Sequence, residues 1–395
     1  MNFKKYRYMP RSVAISAILL AMSSLAVAAQ TAVPKDDSAQ AVPVYQVDPT
    51  WPKPLPNTWT LGPVCGVAVD RHGNIWIAQR SAGLPAPVPS GAVQPSAPAQ
   101  SAAQHAPEIL EFAQDGTLLA SWGGPGAGYE WPKEVHGIFV DLHDNVWIGG
   151  AGINDNQVLK FTSQGKFLFQ IGHAGKGQGS NDLENLGGPA QMVVDEAANE
   201  LYVADGYVNH RVIAFDATTG AYKRHWGAYG KRPDDSYYTK LGIKPGQHTT
   251  NERKEPVSAG PPPPQFDLVH CVHLSNDDLV YVCDRSHNRI QVFKKDGTFH
   301  QEAFIANDVL ASGSISDISF SPDPQQRFAF ALDSTKQRVY VIDRKSLKLL
   351  GAFGEDGKLP GQFTIAHNIA VDSKGDLFIT ESMGMRVQKF VQTGK

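Results

Sequence analysis

One four-strand unit recurs six times along the chain, and that recurrence leaves few folds open. Its first half is an apolar strand, a polar turn and an aromatic-rich strand. It appears as Gly66-Val-Ala-Val-Asp70 with Asn74-Ile-Trp-Ile-Ala78, and again as Gly137-Ile-Phe-Val-Asp141 with Asn145-Val-Trp-Ile-Gly149. The third copy is Gln191-Met-Val-Val-Asp195 with Leu201-Tyr-Val-Ala204, and the fourth Cys271-Val-His-Leu-Ser275 with Leu279-Val-Tyr-Val-Cys283. A weak fifth copy, Asp317-Ile-Ser-Phe-Ser321 with Phe328-Ala-Phe-Ala331, precedes the sixth, Asn368-Ile-Ala-Val-Asp372 with Leu377-Phe-Ile-Thr380. Second halves repeat as well, in Val158-Leu-Lys-Phe161, Arg211-Val-Ile-Ala-Phe215 and Arg289-Ile-Gln-Val-Phe293, with Asp115-Gly116 and Asp296-Gly297 as hairpin turns.

Short alternating strands in four-strand units at this period predict an all-β, six-bladed β-propeller. The last unit has three strands and ends at Lys395, while the strand-like Val44-Tyr45-Gln46-Val47 precedes the first unit. Pairing that N-terminal strand into the sixth blade closes the ring and removes its open edges. The propeller is thus expected over residues 44–395. Two stretches interrupt the pattern: the Pro/Ala/Ser-rich 81–106, expected to be a floppy loop, and 229–264, either a lid or a surface excursion.

Upstream, Lys4, Lys5, Arg7 and Arg11 precede an apolar run from Val13 to Leu25 and the small-x-small site Ala26-Val27-Ala28. This pattern predicts a secretory signal peptide over 1–28, a flexible segment over 29–43, and a periplasmic or secreted protein with no membrane span after cleavage. The net charge of −3 offers no basic face for nucleic acid. Of the three cysteines, Cys271 and Cys283 fall opposite each other on adjacent strands, so either one disulfide or free thiols is open.

Aligning the units on the residue that opens the innermost strand gives the column Cys65, His136, Ala190, His270, Ser316, His367. Histidine alternates with a small residue. Alternate blades of a six-fold ring are related by about 120°, so three imidazoles converge on the channel axis. Three neutral imidazoles with an open fourth position suit a catalytic zinc ion. The chain has 13 histidines, and the other ten form no column; His273 is one alternation out of phase. The loop after each second strand opens at the same mouth and carries Arg80, Asp205-Gly206-Tyr207 and Arg285. Two guanidiniums and a phenol beside a metal suit a peptide or small molecule bearing a carboxylate.

These residues resemble the NHL-repeat propellers and, within them, the peptidyl-α-hydroxyglycine α-amidating lyase family, over roughly Val64 to Val391. Val135-His136-Gly137-Ile138, Asp205-Gly206-Tyr207-Val208-Asn209, Phe266-Asp-Leu-Val-His270, Asp284-Arg285 and Ala366-His367-Asn368 carry the resemblance. It implies zinc on His136, His270 and His367, a catalytic Tyr207, and Arg80 and Arg285 as active-site arginines that bind substrate. It also implies cleavage of an N-acyl-α-hydroxyglycine to an amide and glyoxylate, and the chain is expected to be a monomer. A structural calcium in that family uses an aspartate directly after the third histidine; here that position is Asn368, with the Ile138 carbonyl as its partner. The family's disulfide positions do not match these cysteines, and no copper monooxygenase domain is recognised on this chain. The rival readings are a non-catalytic exported propeller that binds a protein or polysaccharide, and a propeller lactonase, whose carboxylate and Asn ligands the histidine column disfavours.

Overall fold

The computed structural model describes residues 41–81, 104–246, 261–310 and 313–394. The signal-peptide reading, the 29–40 segment and most of the 81–106 stretch lie outside those residues. Six four-stranded antiparallel sheets follow one another around a ring. Their innermost strands are Val64–Val69, Val135–Val140, Pro189–Asp195, Val269–Leu274, Asp317–Phe320 and Ala366–Val371. Each lies against the innermost strand of the next blade, and the sixth returns to the first.

The repeat's polar turn has a physical cause. Asp70 Oδ1 accepts the backbone N–H groups of His72 and Asn74, and Asp70 Oδ2 accepts Trp76 Nε1–H. Asp141 does the same for His143, Asn145 and Trp147. One carboxylate thus closes the hairpin and satisfies the indole of the following strand, which is why Asp, Asn and Trp recur at fixed spacing.

Strand alternation sends successive side chains to opposite faces, and in a blade both faces meet a neighbour. Six buried apolar clusters result, one between each pair of adjacent blades. In blade one, Ile75 and Ile77 pack toward blade six, while Trp76 and Ala78 pack toward blade two. The strands therefore read as nearly continuous apolar runs.

Closure is by the N-terminal strand. Val44–Asp48 pairs antiparallel with Arg386–Gly394, Val47 opposite Phe390. Tyr45 stacks on Phe353 at 5.3 Å and meets Phe330 edge-on at 5.6 Å, so the strand also covers blade five. Trp51 then packs against Phe378 and Phe112, joining blade six to blade one.

Cys271 and Cys283 face each other across blade four and form a disulfide, while Cys65 is a buried free thiol. The end of the 81–106 stretch is part of the fold: Gln104–His105 pairs in parallel with Trp59–Thr60, and Ala106 is buried. Among the described residues of the 229–264 excursion, Ser236–Lys240 forms a short helix. No helix of the described residues is long and apolar enough to cross a membrane.

Candidate metal centre and its pocket

The histidine column sits on β-bulges. In five of the six innermost strands the pairing register slips at the column position, between Val64 and Gly66, Val135 and Ile138, Pro189 and Gln191, Val269 and Cys271, and Ala366 and Ile369. A bulge leaves one residue unpaired and re-aims its side chain. Here it turns His136, His270 and His367 out of the blade faces and into the channel. Their ring centroids lie 4.7–5.0 Å apart, and one ring nitrogen from each lies within 4.8 Å of the others.

The small residues of the column have a job too. His136 Nδ1 bonds the carbonyl of Ala190 at 2.7 Å, His270 Nδ1 that of Ser316 at 2.5 Å, and His367 Nδ1 that of Cys65 at 3.2 Å. Each histidine is thus held by the backbone of the next column member. A carbonyl only accepts, so every Nδ1 carries the proton and every Nε2 presents its lone pair to the channel. Burial pushes the imidazoles down, helped by neighbouring histidines and by Arg80 and Arg285; His367 falls to about 3, and His136 and His270 also lie well below the usual range. Three neutral, pre-aimed Nε2 donors are what a divalent ion needs.

Close approach of the blades requires glycine beside the column. A Cβ on Gly137 would sit 2.5 Å from the Ala190 carbonyl oxygen that holds His136. A Cβ on Gly206 would sit 2.2 Å from the Val269 carbonyl oxygen, and Gly206 precedes Tyr207. The loop itself is fixed by buried Asp205, which accepts from Gly187 N, Asn209 Nδ2 and Arg211 Nε. Tyr207 Oη consequently reaches His136 Nε2 at 2.9 Å and His270 Nε2 at 3.0 Å.

Arg80, Tyr207, Arg285 and His367 line one cavity of about 490 Å³. Arg80 is partly committed, its Nε donating to the Val135 carbonyl at 3.0 Å and its Nη1 lying 3.2 Å from Glu134. Arg285 is 7% exposed, and its buried Nε has no hydrogen-bond partner among the described residues. Burial pushes the Tyr207 phenol up, and Arg285 and Arg80 pull it back.

Several further residues line this cavity. Glu134, beside Arg80, could have been suspected from its place two residues before His136. Cys65 also lines the cavity, and burial pushes its thiol up. Pro245 and Gly246 of the 229–264 excursion reach the rim beside Ile153, so the described part of that excursion borders the pocket. No pattern in the sequence marks that contact.

The calcium pair does not fit here. Asn368 Oδ1 already accepts His367 Nδ1–H at 2.6 Å, and Asn368 Nδ2 donates to buried Asp317 at 3.0 Å. Both ends of the amide are engaged, and a neutral amide brings no charge to hold a cation beside the Ile138 carbonyl. His273, set aside in the sequence as out of phase, bonds Asp317 and not the imidazole cluster.

No protein-family model matches the chain. NHL repeat-containing protein 3 of Homo sapiens is 26% identical over 362 residues, covering 88% of this chain and 84% of that protein. Peptidyl-alpha-hydroxyglycine alpha-amidating lyase 1 of Drosophila melanogaster is 24% identical over 380 residues, 90% of this chain, which spans 61% of that protein's length. Among solved structures, a virginiamycin B lyase from Staphylococcus aureus is 15% identical, with a TM-score of 0.48 over 88% of this chain and 84% of its own. The chain is a six-bladed β-propeller whose relatives are NHL repeat-containing proteins and peptidyl-α-hydroxyglycine α-amidating lyases, at about a quarter sequence identity over most of its length.

Proposed function

We propose that this protein is an exported, zinc-dependent lyase that cleaves the C–N bond of an N-acyl-α-hydroxyglycine, giving an amide and glyoxylate. The observation that carries the reading is that the Tyr207 hydroxyl reaches two of the three clustered imidazoles, while Tyr207, His367 and Arg285, whose buried Nε has no partner among the described residues, line one cavity. The reaction moves a proton from the carbinol hydroxyl to the departing amide nitrogen, so it consumes neither water nor a redox partner. His136, His270 and His367 would hold a zinc ion, which would supply Lewis acidity to the carbinol hydroxyl and further acidity to the nearby phenol. Tyr207 takes the hydroxyl proton, and the positive fields of Arg285 and Arg80 favour the phenolate against burial. Arg285 holds the substrate carboxylate in a two-pronged pair. Glu134 offsets part of the Arg80 charge, which leaves Arg285 as the stronger anchor.

Export is supported by the N-terminal basic and apolar pattern, and an oxidising compartment by the Cys271–Cys283 disulfide. The test is glyoxylate release from N-benzoyl-α-hydroxyglycine and from its analogue lacking the carboxylate. Arg285→Ala should lower kcat/KM for the acid by about 10–100-fold more than for the analogue, the worth of a charge-assisted pair, because the analogue loses only the Arg285 field at Tyr207. An equal loss on both substrates would remove the carboxylate role. Absence of glyoxylate from every acyl derivative tried would leave a binding propeller as the better reading.

A further inference from the structure

We propose that Asp317 and Asn368 form a relay that fixes the proton and aim of His367 through hydrogen bonds to a buried carboxylate, with no cation between them. The relay begins at a carboxylate with 0% exposure. Asp317 Oδ1 accepts from Gln191 Nε2 at 3.0 Å, His273 Nε2 at 2.8 Å and its neighbour Ile318 N at 2.9 Å. Its Oδ2 accepts from Asn368 Nδ2 and Ile369 N, both at 3.0 Å. These donors come from the innermost strands of blades three, four, five and six, so one side chain ties two thirds of the ring together at the channel.

An ionised carboxylate only accepts, so Asn368 must turn its NH₂ toward Asp317. The amide oxygen then faces His367, and it too only accepts, so His367 Nδ1 carries the proton. The His367 Nε2 lone pair is thereby fixed toward His136 and His270. The other histidines need no such aid, because each rests on a shorter bond to a single carbonyl. His367 sits farthest from its carbonyl, at 3.2 Å, and it alone has the amide partner.

The same hydrogen bonds disfavour a cation. A carboxylate offers about four lone-pair directions, and five N–H groups already use them. Cys271 lies close enough to His273 and Asp317 to complete a ligand group, but its sulfur is in the disulfide. An aspartate at position 368 would face Asp317 across 3.0 Å in a buried site, and a pair of like charges there calls for a cation or a proton. Asparagine removes that need.

This inference rests on the zinc reading, and zinc affinity separates the two. It would be measured by competition with a chromophoric chelator for the wild type, Asp317→Asn and Asn368→Asp. If the wild type binds no zinc, the metal reading fails. If it does, Asp317→Asn should bind about 10–100-fold more weakly, because the freed amide can turn an N–H against His367 Nδ1. A folded Asp317→Asn protein with wild-type zinc affinity would overturn the relay, since a purely structural role lowers the melting temperature alone. Should that variant not fold, Asn368→Asp keeps the acceptor for His367 and carries the second arm. Its melting temperature should rise with millimolar calcium, while that of the zinc-loaded wild type stays fixed. A calcium response in the wild type would overturn the charge-balance argument, as would an Asn368→Asp protein that ignores calcium and melts at the wild-type temperature without it.

Discussion

At the scale of single residues, chemistry and packing make separate demands on the same side chains. Tyr207→Phe keeps the ring against His136 and His270 and removes only the hydroxyl. It should lower kcat by about 10²–10⁴-fold, the usual range for an acid–base group, with zinc content unchanged. Loss of zinc along with activity would make the phenol a structural contact. The buried imidazoles predict a pH dependence whose sign is fixed. Folding holds them neutral, with His367 down to about 3, whereas the unfolded chain protonates them near 6.5. The unfolded state therefore binds more protons between those values. Stability of the metal-free protein is fully present above about pH 6.5 and falls as the pH drops below it, by roughly 1.4 kcal/mol per pH unit for each imidazole. Urea unfolding at pH 7 and pH 5 should show a smaller difference in His367→Ala than in the wild type; equal differences would contradict this origin.

The element scale decides how much of the centre the sequence could disclose. Strict alternation of histidine in the aligned column was readable, because the repeat fixes where each innermost strand starts. The bulges that turn the column inward were not, since a bulge depends on pairing between strands. Nor was the carbonyl partnership of Ala190, Ser316 and Cys65, which the sequence records only as small side chains. Asp317, Gln191 and Asn368 stand one place past the column, where strand periodicity alone would point them away from the histidines. A glycine tests this level directly. Gly137→Ala puts a Cβ 2.5 Å from the Ala190 carbonyl oxygen, so the carbonyl must move. We expect about 1–3 kcal/mol of destabilisation and weaker zinc binding through His136. Calorimetry and metal competition on that variant check both, and unchanged zinc affinity would show the carbonyl anchor to be dispensable.

Across the whole molecule, six repeats and one displaced strand fix the ring, and both were legible in the sequence. The rim was less so: whether 229–264 approached the pocket depended on a long excursion whose path no periodicity sets. Closure predicts that removal of residues through Val47 destabilises the fold far more than removal through Gln40, because the longer cut takes Tyr45 and most of the paired strand. Matching melting temperatures for the two truncations would mean that the pairing is not what holds the ring. In the proposed function, a divalent ion on His136, His270 and His367 makes this pocket a lyase. Titrating zinc into metal-free protein while following glyoxylate release from N-benzoyl-α-hydroxyglycine tests it most directly. Activity should rise with zinc, saturate at about one ion per chain, and be absent at every zinc level in His270→Ala. Activity in metal-free protein, or equal activity in His270→Ala, would contradict it.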